Sequence, residues 1–266
     1  MIANSLKNGD LKKLIYLASK VRLDISNQNQ MKNEISVAIG IMTAPVLELR
    51  YNACINTWVQ DFNHIYLFGG YDSKSKLISL GNIGEDYKSA FLKQQLGLKY
   101  MYFNNPNADW YSIVGCDTIL FKDRLVSELS KFDSSQDLFL GTYYKPYSIE
   151  GIDFVSIHGG PGFYLSNSLM KKLMPLMDDF NIYWYNKSQA KQLSNVDYSS
   201  SDSALSFMVK KYFNIDFTPM RLLFGDVAAL NEWESKQVEP VINEDKPIAL
   251  HYIKAERMAD FYQKYQ

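Results

Sequence analysis

Asp109-Trp110-Tyr111-Ser112-Ile113-Val114-Gly115-Cys116-Asp117-Thr118-Ile119-Leu120-Phe121 is the stretch on which the fold turns. It reads as an apolar strand that stops at one acidic residue and gives way to a second short apolar run. A carboxylate at a strand end is costly when buried alone, so it is solvated, paired or bound to a cation. Open α/β sheets hold their ligands at the carboxyl ends of their strands. Asp117 is therefore a candidate ligand for a divalent ion bridging two phosphates. The alternative is an Asp that caps the following turn through Thr118.

Outward from this strand, strand and helix patterns alternate. Ile35–Thr43 reads as a buried first strand, His64–Phe68 as a second, Leu77–Leu80 as a short third and Asp137–Tyr144 as a later one. Helical patterns fall at Val46–Val59, Glu85–Leu98 and Arg124–Phe132. The alternation predicts an α/β fold with a mixed, mostly parallel central sheet flanked by helices. Neither a repeat nor a low-complexity linker divides residues 1–266, so one domain is expected, with residues 1–32 as a helical extension. Within that extension Asp10 can cap a helix over Leu11–Leu23, and Ser26–Gln30 reads as a connector. The basic polar face of this helix (Lys12, Lys13, Lys20, Arg22) suits docking on its own domain, with peripheral membrane contact as the alternative.

Composition narrows the function. The chain has 266 residues, 47% of them hydrophobic, enough for a large core. A net charge of −1 leaves no footprint for nucleic acid. Aromatic residues make up 14%, and Tyr and Trp combine an apolar face with a polar tip, which suits sugar and nucleoside pockets as well as an ordinary core. Cys54 and Cys116 lie in apolar runs without CxxC spacing, so reduced core thiols are expected rather than a disulfide framework or a zinc site. No run approaches about 18 apolar residues, and the N-terminus lacks an apolar signal core. These features read as a cytoplasmic protein.

Three further constellations can carry chemistry. Ile157-His158-Gly159-Gly160-Pro161-Gly162-Phe163-Tyr164-Leu165-Ser166 packs three glycines into four positions, which permits close backbone approach to a sugar or simply a tight turn. A helix is expected after Ser166, with Asn167 and Ser168 as caps. Asp197-Tyr198-Ser199-Ser200-Ser201-Asp202-Ser203 leads a polar loop into a helix at about Asp202. Asp202 suits a helix N-terminus, and it suits a general base for an acceptor hydroxyl. His251, in Ala249-Leu250-His251-Tyr252-Ile253, is one of 3 histidines, beside His64 and His158. On a short strand it is a structural residue or a metal ligand.

The order of these motifs resembles the Fringe-like and beta-1,3-glycosyltransferase group of glycosyltransferase family 31, whose fold is GT-A. The resemblance spans roughly residues 35–253. Arg50 with Thr57-Trp58 looks like the family's Arg…Thr-Trp helix. Trp110–Leu120 looks like its Trp-Phe…Asp-Asp-Asp strand, with Asp117 on the last, metal-binding Asp. His158–Ser166 looks like its Gly-Gly-Ala-Gly motif, Ser201-Asp202 stands at its acidic pair, and His251 matches its C-terminal metal-ligand His. Gly115 and Cys116 replace the first two acidic residues of the triple-Asp motif, and Ser201 replaces the first of the acidic pair.

The resemblance implies an inverting transfer of a sugar such as Gal or GlcNAc from a UDP-sugar to a glycan, glycolipid or glycoprotein acceptor. Asp202 would act as base, and Asp117 and His251 would hold Mn2+ or Mg2+. Arg50, Cys116, Gly159, Gly160 and Gly162 would contact donor or acceptor. Trp184 and Tyr185 would stack on the acceptor or plug the core. One rival is a non-catalytic glycan- or nucleotide-sugar-binding relative, motivated by the lost acidic residues. Another is an unrelated α/β nucleotide hydrolase, weakened by the absence of Walker, GxSxG and HExxH patterns.

Overall fold

A computed structural model describes residues 35–70, 77–193, 196–235 and 246–266. The helix and connector expected within residues 1–32 lie outside the described residues. Residues Ser36–Gln266 form one compact unit.

The first strand, β1 (Val37–Met42), is buried along almost its whole length, as is β4 (Trp110–Gly115). Such continuous apolar runs belong to strands covered on both faces. β1 pairs in parallel with β4 on one side and with β2 (His64–Gly69) on the other, and β2 carries the short β3 (Ile78–Ser79). Beyond β4 lie β9 (Tyr164–Ser166), β6 (Phe139–Gly141) and β10 (Thr218–Pro219), giving a seven-stranded order β10-β6-β9-β4-β1-β2-β3. Only β9 runs against the rest of this sheet, so the expected mixed, mostly parallel sheet is present.

The expected helix over Val46–Val59 is shorter. After a 3-10 turn at Pro45–Leu47, α1 spans Glu48–Ile55, and a second 3-10 turn covers Trp58–Asp61. Thr57 bends its hydroxyl back to the Ala53 carbonyl at 2.7 Å, competing with continuation of the helix. α2 (Ala90–Asn104) crosses the sheet, α3 (Lys122–Leu129) follows the short β5 (Ile119–Leu120), and α4 (Asn167–Leu173) follows β9. The cap of α4 is Ser166, whose Oγ accepts the Leu169 amide, rather than Asn167 or Ser168. α5 (Met177–Gln189) and α6 (Ser201–Phe213) then pack with α2. Phe91, Phe180, Trp184 and Phe207 are fully buried where they meet, with ring centroids 5.8–6.5 Å apart. Aromatic pairs at such spacing add about 0.5–1.5 kcal/mol each beyond their burial.

The single strand expected over Asp137–Tyr144 divides. β6 stays in the main sheet, while β7 (Tyr143–Ile149) pairs with β8 (Ile152–Ile157) as a separate hairpin. Its tip is Glu150-Gly151, with φ of 56° and 75°. Two positive φ values in a two-residue loop match the twist of the flanking strands. A last sheet joins β11 (Leu223–Phe224), β12 (Ala249–Leu250) and β5. Between β11 and β12 runs α7 (Val227–Ser235), and α8 (Ala255–Tyr265) closes the unit. Arg124 on α3 secures this end through Nε to the Pro247 carbonyl (2.7 Å) and Nη2 to that of Tyr265 (2.6 Å).

Candidate functional site

The carboxyl ends of β1 and β4 open into a cleft of about 650 Å3. Arg50, Cys116, Asp117, Gly159, Gly160, Asp202 and His251, all chosen from the sequence, line it. At the end of β4 the chain turns at Cys116-Asp117, with the Cys116 amide on the Met42 carbonyl at 3.2 Å. Asp117 folds its carboxylate back over Gly115, where a Cβ would stand 2.6 Å from Oδ1. Gly115, having no side chain, thus leaves the space into which Asp117 turns.

His251 reaches Asp117 through sheet register. β12 runs antiparallel to β5, the segment just after Asp117, with Leu250 opposite Ile119. The Ile253 amide then donates to the Asp117 carbonyl at 2.9 Å. His251 Nε2 lies 3.5 Å from Asp117 Oδ1, and Arg50 Nη1 lies 3.5 Å from Oδ2. His251 Nδ1 is 2.9 Å from the Gly225 carbonyl, which can only accept, so Nδ1 carries the proton. The Nε2 lone pair therefore faces a carboxylate oxygen, an arrangement completed by a proton or a cation. A carbonyl behind the ring fixes tautomer and orientation in the way metal-ligating histidines are fixed. Among the described residues no group of three or more His, Cys, Asp or Glu is placed to hold a metal. Asp117 and His251 fit a Mn2+ or Mg2+ ion only as a pair, with the remaining positions left to phosphate oxygens and water.

The glycine loop holds both halves of the cleft. Thr118 Oγ1 donates to the Gly160 carbonyl at 2.9 Å, and a Cβ on Gly160 would overlap the His251 ring. The Gly159 amide donates to Asp202 Oδ2 at 3.1 Å. Gly162 has φ of +101°, which favours glycine, and lies behind the loop against Val114 and Tyr164 rather than on the cleft.

Asp202 sits in the first turn of α6, its Oδ1 accepting the Ser203 amide at 2.9 Å. Ser203 Oγ meets Ser156 Oγ at 3.0 Å, Ser206 Oγ accepts the Ile157 amide at 3.2 Å, and the Ser201 carbonyl accepts Gln94 Nε2 at 2.9 Å. These buried contacts fix the helix start against β8 and α2. Among the described residues no lysine or arginine pairs with Asp202, so its carboxylate is held by amides alone.

Trp184 is a correction. It is fully buried on α5, and its Nε1 donates to the Tyr198 carbonyl at 3.1 Å. It belongs to the core stripe of Met177, Phe180 and Trp184 and does not reach the cleft. Tyr185 is half exposed but also lies away from it. The Cys116 thiol is buried, which pushes its pKa up, so Cys116 supplies cleft floor rather than a nucleophile.

Three cleft features escaped the sequence reading. Lys93 is buried, with Nζ 2.8 Å from the Thr43 carbonyl and 2.9 Å from Glu85 Oε2. His158 stands between His251 and Tyr144, its ring centroid 5.6 Å from each, and burial, followed by the neighbouring His251, pushes its pKa down. Tyr144, Lys145 and Tyr147 form one wall. A fourth lining residue, Gln94, did have a signal, since it falls on the stripe Phe91, Gln94, Leu98, Met101.

The sequence model of the Fringe-like family matches residues 31–262, most of the chain. A relative from Xenopus laevis, glycoprotein-N-acetylgalactosamine 3-beta-galactosyltransferase 1, is 26% identical over 151 residues, spanning 55% of this chain and 40% of that protein. The match therefore covers less than half of that relative's length. Among solved structures, galactosyltransferase LgtC in complex with donor and acceptor sugar analogs is similar at a TM-score of 0.51 and 10% identity, over 86% of this chain and 96% of that one. An active-site mutant of LgtC gives 0.52 with the same identity and coverage. At that identity the likeness is one of fold. With the GT-A fold of the glycosyltransferases and a family match over most of its length, the chain belongs to the Fringe-like family.

Proposed function

We propose that this chain is an inverting glycosyltransferase. It would move a sugar such as Gal or GlcNAc from a UDP-sugar to a hydroxyl of a glycan acceptor, in surface polysaccharide or glycoconjugate synthesis. The observation that carries this reading is the division of charge in the cleft. Asp117 faces Arg50 and His251, whereas Asp202 is held by amides and has no cationic partner among the described residues. The first arrangement suits a diphosphate, and the second suits a base.

In the reaction the acceptor oxygen bonds to the anomeric carbon as the bond from that carbon to the UDP oxygen breaks. The hydroxyl proton passes to Asp202, and the electron pair leaves with UDP. Backbone amides orient the Asp202 carboxylate, and a base so placed contributes about 100- to 10,000-fold. Arg50 would support the leaving diphosphate, and the Gly159-Gly160 backbone would approach the sugars. Asp117 and His251 would hold Mn2+ or Mg2+, which when bound supplies positive charge where negative charge develops. The beta-galactosyl product in the Xenopus relative's name supports inversion, because UDP-galactose is an α-glycoside.

Calorimetric titration with a panel of UDP-sugars, in Mn2+ and in EDTA, tests the donor site. One UDP-sugar should bind at least about tenfold tighter with Mn2+, and Asp117→Ala should abolish the difference. Binding without turnover on any acceptor or water would favour the non-catalytic relative that the losses at Gly115 and Cys116 suggest. Absence of binding to every nucleotide sugar would overturn the reading.

A further inference from the structure

Among the described residues three cations line the cleft, and two are already committed. Arg50 pairs with Asp117 and Lys93 with Glu85. Lys145 is exposed and has no carboxylate partner among the described residues. Its Nζ lies 5.2 Å from the Tyr144 ring centroid and 4.9 Å from that of Tyr147. Such contacts steady an ammonium without neutralising it.

The backbone explains how these three residues share one wall. Tyr143 pairs with Ile157 and Lys145 with the adjacent Ser156, so Tyr144 is the extra residue of a β-bulge. Bulges bend a strand and re-aim a side chain, often beside active sites. Without the bulge Tyr144 and Lys145 would point to opposite faces; with it Tyr144, Lys145 and Tyr147 all line the cleft. Both rings are supported from behind, Tyr144 edge-on by His158 (5.6 Å) and Tyr147 by a stack on Phe154 (5.7 Å). Tyr144 remains 45% exposed on the cleft. The strand covers roughly 10 Å from Tyr144 to Tyr147, longer than one sugar ring.

We propose that this wall is an acceptor track, and that the acceptor is an acidic oligosaccharide. Its reacting residue lies near Asp202, its next sugars lie against Tyr144 and Tyr147, and a carboxylate or other anionic group of one of them pairs with Lys145. The inference rests on the transferase reading and narrows its acceptor. Asp86, Asp197 and Asp202, which have no cationic partner among the described residues, repel an anion elsewhere in the cleft, so Lys145 also fixes which way the chain enters.

The test is binding of defined tetrasaccharides to the full chain with UDP and Mn2+ present. Tetragalacturonate and hyaluronan and chondroitin tetrasaccharides are compared with neutral tetrasaccharides and with free galacturonate. At least one acidic tetrasaccharide should bind about tenfold tighter than any neutral one, and free galacturonate should bind far more weakly. Lys145→Gln should remove about tenfold from the acidic affinity and reduce its salt dependence, with little effect on neutral sugars. Tyr147→Ala should weaken both kinds, and thermal melting of each variant checks folding. Equal binding of neutral and acidic chains, or an acidic affinity that ignores Lys145→Gln, overturns the proposal. UDP binding without binding of any tetrasaccharide also overturns it and leaves the donor site standing. Failure to bind UDP removes the transferase reading itself.

Discussion

Asp117 and Asp202 line one cleft and are built in opposite ways. Asp117 ends a strand, and its surroundings come from far along the chain: Arg50 from α1, His251 from the end of β12, and Gly160, held by the next residue Thr118, from the loop before β9. Asp202 begins a helix, and its carboxylate is met by the amide of its own neighbour Ser203 and by that of Gly159. The strand end gathers positive charge and a free imidazole lone pair. The helix end provides amide hydrogen bonds that orient a carboxylate without pairing it to a cation among the described residues. Two identical side chains thus acquire different chemistry from the backbone elements that deliver them.

The sharpest way to break this contrast is Asp202→Asn, which keeps the shape and an acceptor oxygen for one of the two amides, Gly159 or Ser203, that the carboxylate meets. Transfer should fall about 100- to 10,000-fold while UDP-sugar affinity stays within about threefold of wild type, as steady-state kinetics and calorimetry will report. A fall in donor affinity equal to the fall in rate would make Asp202 a donor ligand instead. Gly160→Ala attacks the other end. The new methyl must displace the His251 ring, so Mn2+ affinity followed by electron paramagnetic resonance should drop about 10- to 100-fold, with about 1–3 kcal/mol lost in denaturant unfolding. Unchanged Mn2+ binding would detach His251 from the metal.

A smaller effect is expected behind the Asp202 side. Glu150, at the hairpin tip, is met by Lys187, Tyr183 and Lys211 on α5 and α6, and these contacts lower its pKa from 4.5 to about 2. A depressed carboxylate stabilises the fold above its unfolded value and loses that contribution as pH falls from 4.5 towards about 2. Solvent screening keeps the contribution near ~1 kcal/mol. Glu150→Gln should therefore lower stability by about that much at pH 7 and flatten the acid limb of an unfolding titration. An acid limb identical to wild type would show that the tip is not pinned by charge.

Much of the Asp117 end was legible because its parts leave marks in sequence. A run such as Trp110–Gly115 announces a buried strand, and a lone Asp at its close or a histidine beside Ala249-Leu250 stands out against it. That His251 meets Asp117 follows from the pairing of β12 with β5, for which two-residue strands give no pattern. The hairpin was invisible for a related reason. Tyr143–Ile149 contains Pro146 and an extra residue at Tyr144, so its alternation is broken. Trp184 misled because a tryptophan near tyrosines fits a sugar platform as well as a core. Its i, i+3, i+7 spacing with Met177 and Phe180 was the deciding signal. Lys93 gave no signal, since a helical lysine ordinarily points to water.

Gly115 carries one last consequence, for redesign. Because the Asp117 carboxylate occupies the space of a side chain at 115, any side chain introduced there obliges Asp117 to turn aside, and with it the Arg50 and His251 contacts that meet its two oxygens. An engineer who wants a larger residue at 115 must therefore design the new Asp117 rotamer along with it.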